Sequence, residues 1–251
     1  MTAALAERSR GESAKALLKI AWDYPTYKAE EKATSGGTTA RPVRHALATE
    51  TVFQTLAGND PRPLLVLREC EVCNGTDDAL LSKGASNERT FLMSAWFHCV
   101  KVPVDVLEKN HPYYELFGHD DPEHLFVALP DGSMKLKLES QTSRTELWDA
   151  MSLVLSEAYK TDPQPVLKLV AKSLDRLDVL DEKRLDLRAK RNELLETEGA
   201  GSAKLQKIDV QIADIEREVS ATKAQIAEAS KLELKPSQVQ GAGAGSTKAA
   251  R

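Results

Sequence analysis

The sequence predicts an α/β domain, a mixed sheet flanked by helices on both faces, followed by a charged helical hairpin. Three observations predict it. Between residues 42 and 160, short apolar runs alternate with helical patterns, as expected when helices pack on a sheet. Near the end of that region Pro130-Asp131-Gly132 separates two strand-like runs, so an antiparallel hairpin closes the sheet. Beyond Pro165, two long charged segments flank a glycine-rich break and carry apolar residues at alternating three- and four-residue spacing, the pattern of helices that pair along a seam.

Residues 1–41 read as a partly helical arm and linker. Ala14, Leu17, Leu18 and Ala21 recur at helical spacing, Pro25 ends the pattern, and Lys28 to Ala40 is polar with a Ser-Gly-Gly-Thr-Thr run. The domain at 42–160 opens with a helix from Thr49 to Leu56, capped by Thr49 and stopped at Gly58-Asn59-Asp60-Pro61. Pro63 to Leu67 is a short apolar run of the buried-strand type. Thr76 and Asp77 suit the start of a helix through Leu81. Phe91 to Val104, the longest apolar stretch, reads as a second buried strand, and His111 to Phe117 as a short helix.

Leu125–Leu129 and Ser133–Leu138 are strands on either side of the turn. In the second, Met134, Leu136 and Leu138 point one way and Lys135 and Lys137 the other, which suits a half-buried strand near an edge. Thr145 to Tyr159 is an amphipathic helix with Leu147, Met151, Val154, Leu155 and Ala158 on one face.

Thr161 to Pro165 marks a boundary. Residues 163–235 are expected to form an antiparallel coiled-coil hairpin that breaks at Glu198 to Ser202. Its second helix has a clean heptad seam, Leu205, Ile208, Ile212, Ile215, Val219, Thr222, Ile226 and Ala229. The first helix is rougher: Leu167, Val170, Leu174 and Leu177 fit, and beyond Leu180 the residues Arg184 and Arg191 interrupt Leu187 and Leu194. Residues 236–251 form a Gly/Ala tail of disordered composition.

Composition narrows the function classes. The 251-residue chain has 34 basic and 38 acidic residues, a net charge of −4, which leaves no overall footprint for nucleic acid. The cluster Lys183, Arg184, Arg188, Lys190 and Arg191 is interleaved with Asp181, Glu182, Asp186 and Glu193, as on a solvated helix face. The apolar stretch Ala16–Trp22 is short and interrupted by Lys19, unlike a secretory leader. With no run of eighteen apolar residues, no membrane span is expected, and the chain is expected to be cytoplasmic. No phosphate-binding loop or other cofactor motif is found, so no cofactor is expected.

The three cysteines, Cys70, Cys73 and Cys99, are too few and too irregular for an extracellular disulfide framework. Cys70-Glu71-Val72-Cys73 follows the first buried strand and precedes an expected helix. Two intervening residues let the sulfurs approach disulfide distance. A helix N-terminus stabilises a thiolate, so the first cysteine gains nucleophilicity and the second resolves the mixed disulfide. Cys99, inside Trp96–Val100, reads as a small buried hydrophobe. Strand alternation sets His98 on the opposite face, so that pair does not share an ion. A zinc site built on Cys70 and Cys73 lacks a second close Cys/His pair, and no metal is expected.

Over about residues 47–160 the chain resembles the thioredoxin-like superfamily. The resemblance rests on the helix with Val52, Phe53 and Leu56, the strand P-L-L-V-L, the C-E-V-C pair, the strand F-H-C-V-K-V-P, Tyr114 to Gly118, and the segment D-P-E-H-L-F-V-A-L-P-D-G. It implies that Cys70 is the attacking and Cys73 the resolving cysteine. It also implies that Pro122 is the family's cis-proline, facing the cysteines and helping to bind extended thiol substrates, with His124 just after it. The family's usual W-C-G-P-C is E-C-E-V-C here, and Glu69 and Glu71 flank the nucleophile, where negative charge raises a thiol pKa. His119 and His124, beside Asp120 and Asp121, read more simply as a polar loop, with His124 the better candidate of the two. Two functions therefore stay open. One is a thiol–disulfide oxidoreductase acting on protein substrates. The other is a non-catalytic binding or scaffold module whose hairpin docks a partner or a second copy, a homo-oligomer.

Overall fold

Five strands of mostly apolar sequence assemble into one mixed sheet in the computed structural model of the chain. The structure describes residues 9–25, 45–70, 80–120, 122–138 and 142–236. These divide into two compact units, drawn from Ala21–Leu80, Trp96–Thr161 and Glu233–Arg251 in one case and from Met1–Ile20, Leu81–Ala95 and Asp162–Leu232 in the other.

The sheet unit contains β1 (Trp22–Asp23), β2 (Leu64–Arg68), β3 (His98–Val102), β4 (Leu125–Ala128) and β5 (Leu136–Leu138), in the order β1-β3-β2-β4-β5. β3 runs parallel to both β1 and β2, whereas β4 is antiparallel to β2 and to β5. The register pairs Leu64 with His98 and Arg68 with Val102 on one side of β2, and Leu67 with Leu125 on the other. All five residues of β2 are buried, as a central strand covered on both faces requires.

One face of the sheet presents Leu64, Val66, Val100, Val102, Phe126 and Ala128. Against them pack Val52, Phe53 and Leu56 of the helix Thr49–Ala57 and Leu116 and Phe117 of the helix Tyr114–Phe117. The opposite parity, Leu65, Leu67, Cys99, Leu125 and Val127, is buried as well. The helix Arg144–Ala158 contacts β4 and buries Leu147, Met151, Val154 and Leu155. It begins with a capping box: Ser143 Oγ accepts from Glu146 N–H at 3.2 Å, and Glu146 accepts from Ser143 N–H at 2.7 Å. The Pro130-Asp131-Gly132 turn closes as expected between β4 and β5, with 2.9 Å bonds from Gly132 N–H to Leu129 and from Leu129 N–H to Ser133. Gly132 sits at φ +84, and a Cβ there would lie 2.3 Å from the Phe53 ring. Only glycine fits that position.

Several elements differ from the sequence expectation. The run Phe91–Val104 is not one strand: Glu88–Ser94 is helical and only His98–Val102 is β3. Thr90, Phe91, Met93 and Ser94 are all buried, and a continuous apolar run has no period that separates buried helix from buried strand. Trp22 and Asp23, read as arm and linker, pair with Cys99 and Val100 and form a sheet edge. Thr49 is the first helical residue and makes no side-chain cap; Ala48 precedes it at the cap position. β5 is shorter than Ser133–Leu138, because Met134 takes φ 52 within the turn. The helix expected through Thr76 and Asp77, the polar linker Lys28–Ala40 and the Gly/Ala tail lie outside the described residues, apart from Leu80 and Leu81 at the end of that helix.

The second unit is helical. The helix Gln164–Glu198 buries Leu167, Val170, Leu174, Leu177 and Leu180, and the helix Ala203–Ala229 buries Leu205, Val219 and Ile226. The remaining members of the heptad seam, Ile208, Ile212, Ile215, Thr222 and Ala229, are half-buried. Cross-helix ion pairs join late residues of the first to early residues of the second, Arg191 to Asp209 at 2.6 Å and Arg188 to Glu216 at 3.4 Å. Ala14, Leu17, Leu18 and Leu92 complete the apolar cluster.

The short helix Glu12–Lys15 is fastened by charge. Arg10 donates twice to Glu88, at 2.6 and 2.7 Å, and once each to Asp175 at 2.6 Å and Asp178 at 2.7 Å. The unpaired N–H groups of its first turn are met by carboxylates of the long helix, Gly11 N–H by Asp178 and Ser13 N–H by Asp181, both at 2.7 Å. A four-residue helix cannot stand alone. Here its exposed amides and their partial positive charge are satisfied from outside. No described helix is long and apolar enough to cross a membrane.

Candidate functional site

Alternation along β2 decides what reaches its carboxyl end. Leu64 and Val66 enter the core, and Arg68 follows at the same parity. Glu69 N–H then donates to Val102 O at 2.9 Å, tying the ends of β2 and β3 together. On the other side Arg68 N–H donates to His124 O at 2.8 Å. Cys70 is therefore placed at the carboxyl end of two parallel strands and next to the segment that enters β4. In sheets of this kind that edge is where ligands and substrates meet the protein.

Cys70 is half-buried and disulfide-bonded. Cys73 lies outside the described residues. Cys99 is a free thiol, 2% exposed, and burial pushes its pKa up to about 12. A thiol held neutral to that degree is a poor nucleophile at neutral pH.

Pro122 and His124 both belong to the segment beside Cys70, and both contact one side chain, Arg68. This arginine is 3% exposed. Its Nη2 donates to Pro122 O at 3.1 Å, its Nε to Glu123 O at 3.3 Å and its Nη1 to Glu69 O at 3.4 Å. Nη2 also lies 3.2 Å from each ring nitrogen of His124. Among the described residues no peptide bond is cis; the bond that precedes Pro122 involves Asp121, which lies outside them.

Between these two residues Glu123 turns inward. Its side chain is 1% exposed and is ringed by nitrogens: His119 Nε2 at 2.8 Å, Lys137 Nζ at 3.5 Å, and Lys135 in direct contact. Burial alone would raise the Glu123 pKa, but the hydrogen bond and charge of Lys135 outweigh it and hold the carboxyl below its ordinary value. Burial lowers the Lys135 pKa in turn, against the opposing pull of Glu123. The Lys135 ammonium also sits 4.7 Å above the Phe126 ring.

One of the two acidic residues that flank Cys70 is paired. Glu69 pairs with Lys101 at 2.7 Å, which reduces the acidity the sequence places before the cysteine. Glu69 also borders an open depression lined by Pro103, Val104, Asp105, Leu107 and Glu108. No group of three or more His, Cys, Asp or Glu side chains able to hold a metal ion is found among the described residues. His98, away from this edge at the start of β3, pairs with Asp23 at 3.1 Å.

Sequence reasoning did not single out Arg68, Glu123 or Lys135. Arg68 ends an apolar strand, where a charge ordinarily marks the exit to solvent. Lys135 and Lys137 read as outward residues of an edge strand. Their shared parity was the available signal, because it places both on the side that Glu123 occupies. Compared with protein-family models, curated proteins and solved structures, the chain matches none.

Proposed function

We propose that the chain is a thioredoxin-like thiol–disulfide oxidoreductase whose dithiol is Cys70 and Cys73. The Cys70 thiolate attacks one sulfur of a substrate disulfide, forming a mixed disulfide and releasing the other sulfur as a thiolate that takes up a proton. Cys73, losing its proton, attacks the Cys70 sulfur. The second substrate sulfur leaves as a thiol, and the protein is left as a disulfide. Two electrons have passed to the substrate, and an external dithiol must restore them.

The observation that carries this reading is the disulfide-bonded Cys70 at the carboxyl end of β2, beside Pro122 and His124, while Cys99 is a buried free thiol. The strand order β1-β3-β2-β4-β5, with its antiparallel closing pair, supports the thioredoxin-like assignment. The acting compartment in this reading is the cytoplasm, where close cysteine pairs are redox-active more often than structural. Insulin reduction driven by dithiothreitol tests it. The wild-type chain should accelerate precipitation of the insulin B chain, and Cys70→Ser should return the rate to that of dithiothreitol alone. Equal rates for the two proteins would remove the enzymatic reading.

One observation favours a second reading, a non-catalytic module acting through a coiled-coil hairpin. Leu185 and Val210, on the two long helices, are 64% and 61% exposed, which offers apolar contacts to a partner protein or a second copy. Sedimentation of the full chain across a concentration series, with Leu185→Glu/Val210→Glu as the comparison, checks self-association. A monomer at every concentration would count against it.

A further inference from the structure

Resting on the oxidoreductase reading, we infer that Arg68 is a positioning residue for the Cys70 dithiol, clamping the Pro122–His124 segment against the peptide that precedes the reactive sulfur. Placing a guanidinium where it is 3% exposed costs it most of its hydration. Its hydrogen bonds to Glu69 O, Pro122 O and Glu123 O offset that cost. An arginine suits the task because its planar fork carries five donors in fixed directions, whereas a lysine ammonium carries three on a flexible stem.

The acceptors say what the clamp does. The Glu69 carbonyl belongs to the peptide unit whose nitrogen is that of Cys70. The other two carbonyls come from the stretch expected to meet an extended substrate. One side chain thus fixes the spacing between nucleophile and substrate-binding backbone. Arg68 also carries a fixed positive charge two residues before Cys70, and positive charge near a cysteine favours thiolate over thiol. It opposes the negative flank that Glu69 and Glu71 contribute in sequence. Lys101, paired with Glu69 at 2.7 Å, acts in the same sense from the neighbouring strand.

Reduction by glutathione reads this directly: the protein disulfide and two glutathione thiols give the protein dithiol and one glutathione disulfide. Stabilising the Cys70 thiolate favours the reduced protein. Arg68→Met should therefore lower the equilibrium constant for reduction about tenfold. It should also move the pH midpoint of iodoacetamide alkylation upward, measured in a Cys99→Ala background. Arg68→Lys keeps the charge and loses the fork. It should hold the alkylation midpoint and the equilibrium constant near wild type while slowing the reduction of the protein disulfide by glutathione two- to fivefold.

A purely structural role would lower the unfolding midpoint and leave both redox readouts in place. A folded Arg68→Met with wild-type equilibrium constant and alkylation profile overturns the inference. Should Arg68→Met not fold, Arg68→Lys decides, and a wild-type rate of reduction by glutathione there overturns it equally. Both readouts use the full chain with glutathione and iodoacetamide. A wild type inactive on insulin therefore ends the enzymatic reading without deciding the question of Arg68.

Discussion

The sheet unit and the helical unit solve the problem of charge in opposite ways. In the sheet unit the apolar core runs through helix, strand and loop alike, and the few charges inside it are individually satisfied: Arg68 by carbonyls, Glu123 by Lys135, Lys137 and His119. In the helical unit the apolar cluster is a narrow stripe; apart from the charges that fasten the short helix, Asp181 among them, the pairs Arg188–Glu216 and Arg191–Asp209 join the long helices across exposed faces. Buried charges of the first kind hold their surroundings in one arrangement, because losing a partner leaves an ion without water. Exposed pairs of the second kind are interchangeable. Function at a fixed geometry is therefore better placed in the first unit than in the second.

The largest effect should come from the sheet core. Phe126 is fully buried and packs edge-on to Phe53 and tilted against Phe117, each at 6.1 Å between ring centroids. Phe126→Ala should cost about 3–5 kcal/mol. Trp22, Trp96 and Trp148 all belong to the sheet unit, so the urea midpoint of tryptophan fluorescence reads that loss. A midpoint shift equivalent to less than about 1 kcal/mol would break the picture of a close-packed core.

The next effect sharpens the contrast through pH. Glu123→Gln leaves the ammonium groups of Lys135 and Lys137 around an uncharged amide, and breaking a buried pair costs about 3–5 kcal/mol. The folded-state pKa of Glu123 is depressed from its ordinary 4.5. Its contribution is accordingly present at neutral pH and lost as pH falls through the folded pKa, below about 4.5. Wild type should lose more stability between pH 5 and pH 3 than Glu123→Gln does, so the two stability curves converge on acidification. Parallel curves from urea titrations across that range would show that Glu123 does not titrate differently in the folded state.

These contrasts also explain what could be read from the sequence. The seam from Leu205 to Ala229 was legible because a helix repeats its buried face at a fixed interval, and its members are buried or half-buried in the structure. The turn at Gly132 was legible because its residue types serve one backbone conformation. The strand at Trp22–Asp23 was not, since two residues have no period and pair only because β3 offers a free side. Glu88–Ser94 was hidden in an apolar run that continues into β3. At the candidate site, the position of Cys70 after an apolar strand was visible, but the role of Arg68 was not. Its acceptors Pro122 and Glu123 lie 54 and 55 residues along the chain, and nothing local marks them as its partners.

The smallest effect belongs to the hairpin surface, and it tests the contrast from the other side. Arg191 meets Asp209 at 2.6 Å, yet the two side chains are 40% and 50% exposed. Water already solvates both, so the pair gains little over its separated ions and loses side-chain entropy on forming. Arg191→Ala should shift stability by no more than about 0.5 kcal/mol, and 1 M NaCl should erase most of that. Helical content followed by circular dichroism through a urea titration gives the number. A loss comparable to that of Glu123→Gln would mean that this pair is buried in solution, as it would be if the exposed faces of the hairpin were covered by a second copy.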